Sequence, residues 1–222
     1  MQKNFMRIAF VLAAAVAALG AASPAAAQSQ DLIFVGSGSA APTTTIDIPV
    51  SIRDLSGSPL GMDQPPGSKI QSYSIKVDYA PASSVQSITF TRGGITTALT
   101  PTFESSPSGP GTVSLLDTFQ ESTNPIPFTL NAVAPGNQVG VLHVTIAAAA
   151  IPGTGISLSL DPVLTQLTDQ AGSGTTKETV ANGNLALING LIVISSPVPT
   201  LSMWALMLLA ISLSAVALRL HS

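Results

Sequence analysis

Few side chains in this sequence could carry covalent or metal chemistry. There is no cysteine among its 222 residues, which excludes thiolate catalysis, a cysteine-based zinc site and a disulfide framework. Of the two histidines, only His143 lies outside the last residues of the chain, flanked by Leu142 and Val144. With no second His or Cys to complete a metal site or a triad, it reads as a histidine on the face of a sheet. Asp161 and Asp169 bracket the segment Pro162-Val163-Leu164-Thr165-Gln166-Leu167-Thr168, where loop carboxylates could bind a hard cation such as calcium; capping of turns by Asp is the plainer role. Glu104 and Glu121 could serve a glycosidase if a cleft held them at a fixed separation, but nothing marks them off from ordinary loop acids. The sequence thus predicts no enzyme, no catalytic residues, no bound metal and no cofactor.

Charge and aromatic content narrow the binding classes. All eleven acidic residues fall between Asp31 and Glu178, against five basic ones there (Arg53, Lys69, Lys76, Arg92, Lys177), a balance of −6. No clustered positive charge exists to meet a nucleic acid. The same stretch has no tryptophan, and Tyr73 and Tyr79 fall on apolar registers, which points to core rather than to a sugar-stacking platform. Phe119 and Phe128 bracket Asn124-Pro125-Ile126-Pro127; they could form an apolar patch for a partner, or fold the loop back onto the domain.

The elements that must position these groups are strands. Ile46, Ile48, Val50 and Ile52 alternate with Asp47, Pro49, Ser51 and Arg53. Tyr73, Ile75, Val77 and Tyr79 alternate with Ser72, Ser74, Lys76 and Asp78, and Ile156, Leu158 and Leu160 with Ser157, Ser159 and Asp161. Further strands are predicted over 31–35, 85–91, 112–118, 139–148, 163–167 and 185–194, about nine in all. Asn189-Gly190 suggests a type I′ hairpin, with a bulge or bend inside one long strand as the alternative. The Gly- and Pro-rich stretches 56–68 and 104–111 read as mobile surface connections. No stretch of 28–195 has helical periodicity with strong helix formers, so two sheets must cover each other around Ile48, Val50, Ile52, Ile75, Val77, Tyr79, Val144, Ile146, Leu158 and Leu160.

The two ends read as targeting segments. Residues 1–27 combine Lys3 and Arg7, an apolar run from Ile8 to Ala22, and small residues at Ala25 and Ala27, as in a secretory signal peptide cleaved after Ala27. At 196–222, Pro197 and Pro199 precede Ser202, which can cap a helix. An uncharged run to Leu218 follows, and Arg219 closes it, which predicts a transmembrane helix at about 203–218 with the domain outside the membrane. Val198-Pro199-Thr200-Leu201-Ser202-x-Trp204, with the apolar run and Arg219, resembles the IPTL-CTERM sorting signal of Gram-negative bacteria, a relative of PEP-CTERM. Met203 stands where that family usually has Glu, and Arg219 is alone where it usually has a basic cluster. The resemblance implies an exosortase-like transpeptidase as a partner for the tail, a membrane-associated intermediate, and final delivery to the cell surface or medium; a plain membrane anchor is the alternative.

A second resemblance covers most of 31–194. Ile48-Pro49-Val50-Ser51-Ile52, then Ile70-x-Ser72-Tyr73-x-Ile75-x-Val77-x-Tyr79-x-Pro81, then Val141-Leu142-x-Val144-x-Ile146, then Asn189-Gly190, follow an order similar to that of cohesin-like domains. That family implies a nine-stranded jelly-roll sandwich related to carbohydrate-binding modules, with dockerin-binding members. The expected protein is therefore a non-catalytic, exported adhesive or structural module whose partner is another surface protein, or alternatively a polysaccharide.

Overall fold

The computed structural model describes residues 29–169, 176–196 and 207. The signal-peptide residues Ala25 and Ala27, and the tail residues Val198, Pro199, Thr200, Leu201, Ser202, Trp204 and Arg219, lie outside the described residues. Among the described residues no helix is long and apolar enough to cross a membrane.

The described residues form an all-β sandwich. One sheet has five strands in the order β13 (Leu185–Ile188), β1 (Asp31–Val35), β3 (Thr45–Arg53), β9 (Asn137–Ile146) and β5 (Val85–Arg92). The second is built on β4 (Ser72–Ala80). One edge of β4 pairs with β8 (Thr112–Thr118), which also carries the short β6 (Phe103–Ser105) and β7 (Ser108–Gly109). Its other edge pairs first with β10 (Gly155–Leu160) and then with β11 (Gln166–Thr168), both antiparallel. Outside these lie β12 (Lys177–Thr179) against β11, β14 (Gly190–Ile194) against β10, and β2 (Gly38–Ala40) against β14.

Alternation drives the assembly. In β4 every odd residue from Tyr73 to Tyr79 is buried and every even one is partly open. All ten expected core residues are buried, joined by Ile33, Phe90, Val113, Leu115, Leu142, Leu167, Ile192 and Ile194. Each such side chain contributes about 1.5–3 kcal/mol on leaving water. With no cysteine, this core carries the stability.

Four expectations are corrected. Ser51 is buried rather than wet, although it stays paired with Phe34 on the face opposite Val50 and Ile52; the register shift beside it belongs to β9, where Val139 is the extra residue. The strand expected over 163–167 begins only at Gln166; Asp161 Oδ1 accepts the amides of Val163 and Leu164, curling 162–164 into a turn. The segment 56–68 is no mobile surface connection, since Leu60 and Ser58 are fully buried and its main chain is held by carboxylates. The segment 104–111 is not a loop throughout, since it supplies the end of β6 and all of β7.

Asn189-Gly190 forms no hairpin. β13 pairs in parallel with β1 in the first sheet, and β14 pairs in parallel with β2 in the second. The first and last strands therefore cross from sheet to sheet side by side, which is the bend reading of the sequence. Gly190 sits at this crossing, where a Cβ would collide with the carbonyl oxygen of Gly36 and lie 2.9 Å from Val35 Cγ1. Asn189 Oδ1 accepts the Leu160 amide at 2.9 Å and Ser37 Oγ accepts the Leu191 amide at 3.0 Å. We expect Gly190→Ala to destabilise the domain by about 2 kcal/mol, as overpacking against backbone does. A urea midpoint equal to that of the unsubstituted protein would contradict the crossing geometry.

Candidate functional site

The outer face of the β4-centred sheet offers a flat surface of short side chains around one cation. Ser72, Ser74, Lys76 and Asp78 point outward along β4, beside Thr118, Leu116, Ser114 and Thr112 of β8. On the other side Ser159 faces Asp78, and Ser157 adjoins the end of β4. Lys76 Nζ lies 2.8 Å from Asp161 Oδ2 and 3.5 Å from Asp78 Oδ1. Asp161 raises the Lys76 ammonium above its ordinary range, and Lys76, with the amides of Leu164 and Val163, holds the Asp161 carboxyl below its own.

The local backbone explains that placement. β10 and β11 run along the same edge of β4, separated by the excursion 161–165. Lys76 uses its carbonyl to accept the Asp161 amide at 2.9 Å and its amide to donate to Thr165 Oγ1 at 3.2 Å, which anchors both ends of the excursion. Exposed aliphatic side chains lie further along the same face and in the excursion. Leu191 and Val193 are 45% and 44% exposed on β14, opposite Ser157 and Gly155, and Leu164 and Val163 are exposed in the excursion itself.

The other residues singled out in the sequence are dispersed. His143 lies on the outer face of the five-stranded sheet, where its Nδ1 is 2.6 Å from Asp47 Oδ1 and its Nε2 is 2.9 Å from Thr91 Oγ1. Neither partner is legible in the sequence, because they come from the neighbouring strands β3 and β5. The Asp, His and Thr stand in a row across an open sheet whose strand amides are engaged in the ladder, so the row is a cross-strand polar network without an oxyanion site built around it. Glu104 pairs with Arg92 at 3.0 Å, and Glu121 accepts the Gly67 amide at 3.0 Å, so the two have separate partners. Asp169 accepts the Thr176 amide and lines, with Glu121, Gln71, Thr102, Gln120 and Ser122, a cleft of about 650 Å³ at one end of the sandwich. Among the described residues no group of three or more His, Cys, Asp or Glu side chains is arranged to hold a metal ion.

Of the aromatics, Tyr73, Phe119 and Phe128 are buried, which is the folded-back reading of the Pro-rich loop. Tyr79 is also buried, with its hydroxyl donating to the Gly109 carbonyl. The hydroxyl of Tyr73 donates to Asp117 Oδ2 at 2.6 Å. Burial lifts the Asp117 carboxyl to about 6 in spite of that donor.

Comparison with known proteins places this geometry. No protein-family model and no curated protein matches the chain. Solved structures do match. A cohesin from Clostridium acetobutylicum superposes with a TM-score of 0.53 at 18% identity, over 78% of this chain and 96% of that one. The third cohesin of ScaC from Acetivibrio cellulolyticus, solved with a dockerin, gives a TM-score of 0.53 at 12% identity, over 75% of this chain and all of that one. The sixth cohesin of scaffoldin B from the same organism, also with a dockerin, gives 0.53 at 14% over the same shares. The fold is cohesin-like.

The cohesin-like core predicts one sharp sensitivity. Tyr73→Phe keeps the ring but removes the hydroxyl that donates to a buried carboxylate, so stability should fall by about 1–3 kcal/mol above pH 6. The loss should shrink below pH 6, where a protonated Asp117 no longer requires a donor. Chemical denaturation at pH 5 and pH 7.5 checks both parts.

Proposed function

We propose that this chain is a non-catalytic, exported docking module that binds another surface protein through the outer face of its β4-centred sheet. The observation that carries the reading is the open face itself, with the Lys76 centre held by Asp161 and Asp78, Leu164 in the excursion and the exposed aliphatics Leu191 and Val193 toward the end of β4. The match to cohesins supports it, because the related structures include cohesins solved with protein partners. Short Ser and Thr side chains lower the entropy cost of ordering the face, and the ion-paired Lys76 centre gives register to a polar partner group.

Residues 1–27 serve in this reading as a signal peptide cut after Ala27. The tail, with Val198, Pro199, Thr200, Leu201, Ser202, Trp204 and Arg219, serves as a sorting signal. An exosortase-like transpeptidase processes it from a membrane-held intermediate, leaving the module at the cell surface or in the matrix. Polysaccharide binding is the second reading, favoured by the cleft, whose carboxylate, amide and hydroxyl groups from Glu121, Gln120, Ser122 and Thr102 suit a polyol.

Two experiments test these assignments. In binding to surface proteins of the producing cell, Lys76→Glu and Leu191→Arg should each weaken capture by roughly tenfold or more, as loss of a central contact does. Glu121→Gln should leave capture unchanged. Glycan binding lost in Glu121→Gln and kept in Lys76→Glu would favour the second reading. For sorting, intact-mass analysis should show a mature start at Gln28, and replacement of Pro199-Thr200-Leu201 should abolish tail processing while membrane retention persists; normal processing in that variant would remove the signal.

A further inference from the structure

A cluster of acids that the docking face does not use is buried beneath the 54–70 segment. Asp31 opens β1 and Glu178 sits in the middle of β12, and both are 0% exposed. Asn184 ties their strands together, its carbonyl accepting the Asp31 amide at 3.1 Å and its Oδ1 the Thr179 amide at 2.8 Å, and each acid acts on the other's titration. Each commits one oxygen to the same loop: Asp31 Oδ1 accepts the Leu55 amide at 2.8 Å, and Glu178 Oε1 accepts the Leu60 amide at 2.8 Å. The remaining oxygens, Asp31 Oδ2 and Glu178 Oε2, are buried and receive no donor from any other described group.

No cation answers these two carboxyls among the described residues. Asp54, at the end of β3, is itself an acid and fully buried; it accepts the Met62 amide and raises both of them. The loop faces the pair with the Ser58 hydroxyl, while Asp63 and Lys69 act on Asp54. Lys69 Nζ donates to the carbonyls of Met62 and Gln64 at 2.8 and 2.7 Å, and Asp63 accepts the Gly57 amide. Two neighbouring carboxylates out of water cannot both stay ionised, since each charge would be desolvated and repelled by the other.

We propose that Asp31 and Glu178 share a single proton, a carboxyl-to-carboxylate latch that clamps β1 and β12 to the 55–60 loop and releases that loop when the proton leaves. The O–H of Glu178 donates to Asp31, which is already stabilised as the anion by the Leu55 amide. Burial followed by the Asp31 charge pushes Glu178 up, to about 9, while burial raises Asp31 against the Leu55 donor. The folded protein therefore keeps a proton that the unfolded chain gives up near pH 4. The Glu178 proton contributes fully below that pH and its contribution declines as pH rises toward 9; with Asp31 raised to about 6, the pair holds a single proton between those two values. Asp117 acts in the same direction, but its decline is complete not far above pH 6, so a slope above pH 7 belongs to the latch.

The test is thermal unfolding of the full chain between pH 6 and pH 9, with and without calcium. Melting should fall by roughly 5 °C or more across that range, and the slope above pH 7 should flatten in Glu178→Gln, which keeps a donor for Asp31. Should that variant fail to fold, infrared spectroscopy of the unsubstituted protein at pH 7 still reads the latch, as a buried protonated carboxyl band that is lost by pH 9.5. A flat melting profile, or no such band, overturns the proposal. Calcium raising the pH 9 melting temperature of the unsubstituted protein but not of Glu178→Gln also overturns it, because a divalent cation would then occupy the place assigned to the proton.

Discussion

Strand β4 is bonded along both edges, and the rest of the domain takes its position from that constraint. Its odd residues reach into the sandwich, where Tyr73, Ile75, Val77 and Tyr79 meet the inner side of the opposing sheet; its even residues form the middle of the open face. A slip of one residue would exchange core for surface along its whole length, so the register is strongly specified. The same pairing that buries Ile75 and Val77 holds Lys76 where Asp161 can reach it.

Polar groups pin the places where regular pairing fails. The 161–165 excursion interrupts the strand beside β4, and its ends are tied to both main-chain groups of Lys76. The 54–70 segment has no strand, yet carboxylates from Asp31, Asp54, Asp63 and Glu178 accept the amides of Leu55, Met62, Gly57 and Leu60. Because a buried unpaired amide is costly, these acids do for the loop what a neighbouring strand does elsewhere. Their own desolvation raises the Asp31, Asp54 and Glu178 carboxyls, so the acids that stabilise the loop also make it sensitive to alkali.

Fold and function separate cleanly here. A cohesin-like sandwich accounts for the two sheets and for the parallel crossing of the first and last strands, but a shared fold alone does not choose a partner. In the docking reading proposed above, that choice falls to the particular groups of the open face, a lysine between two aspartates with exposed aliphatics further along the sheet.

Alternation along the chain was enough to determine the all-β class, the half-buried strands β3, β4 and β10, and the ten core residues, because a period of two is a property of each strand taken alone. The lack of cysteine and the scarcity of His likewise limit the chemistry whatever the fold. Only the tertiary structure decided the rest, and in each case the deciding contact joins residues far apart in sequence. His143 meets Asp47 and Thr91 across three strands; Asn189-Gly190 became a crossing instead of a hairpin because β1 and β2 lie beside it. The acidic residues gave no local sign of their fate: Asp161 reaches Lys76 from 85 positions away, and Glu178 closes over Asp31 from the other end of the domain. Periodicity reports which way a side chain faces, whereas its partner is set by which strands the sheets bring together.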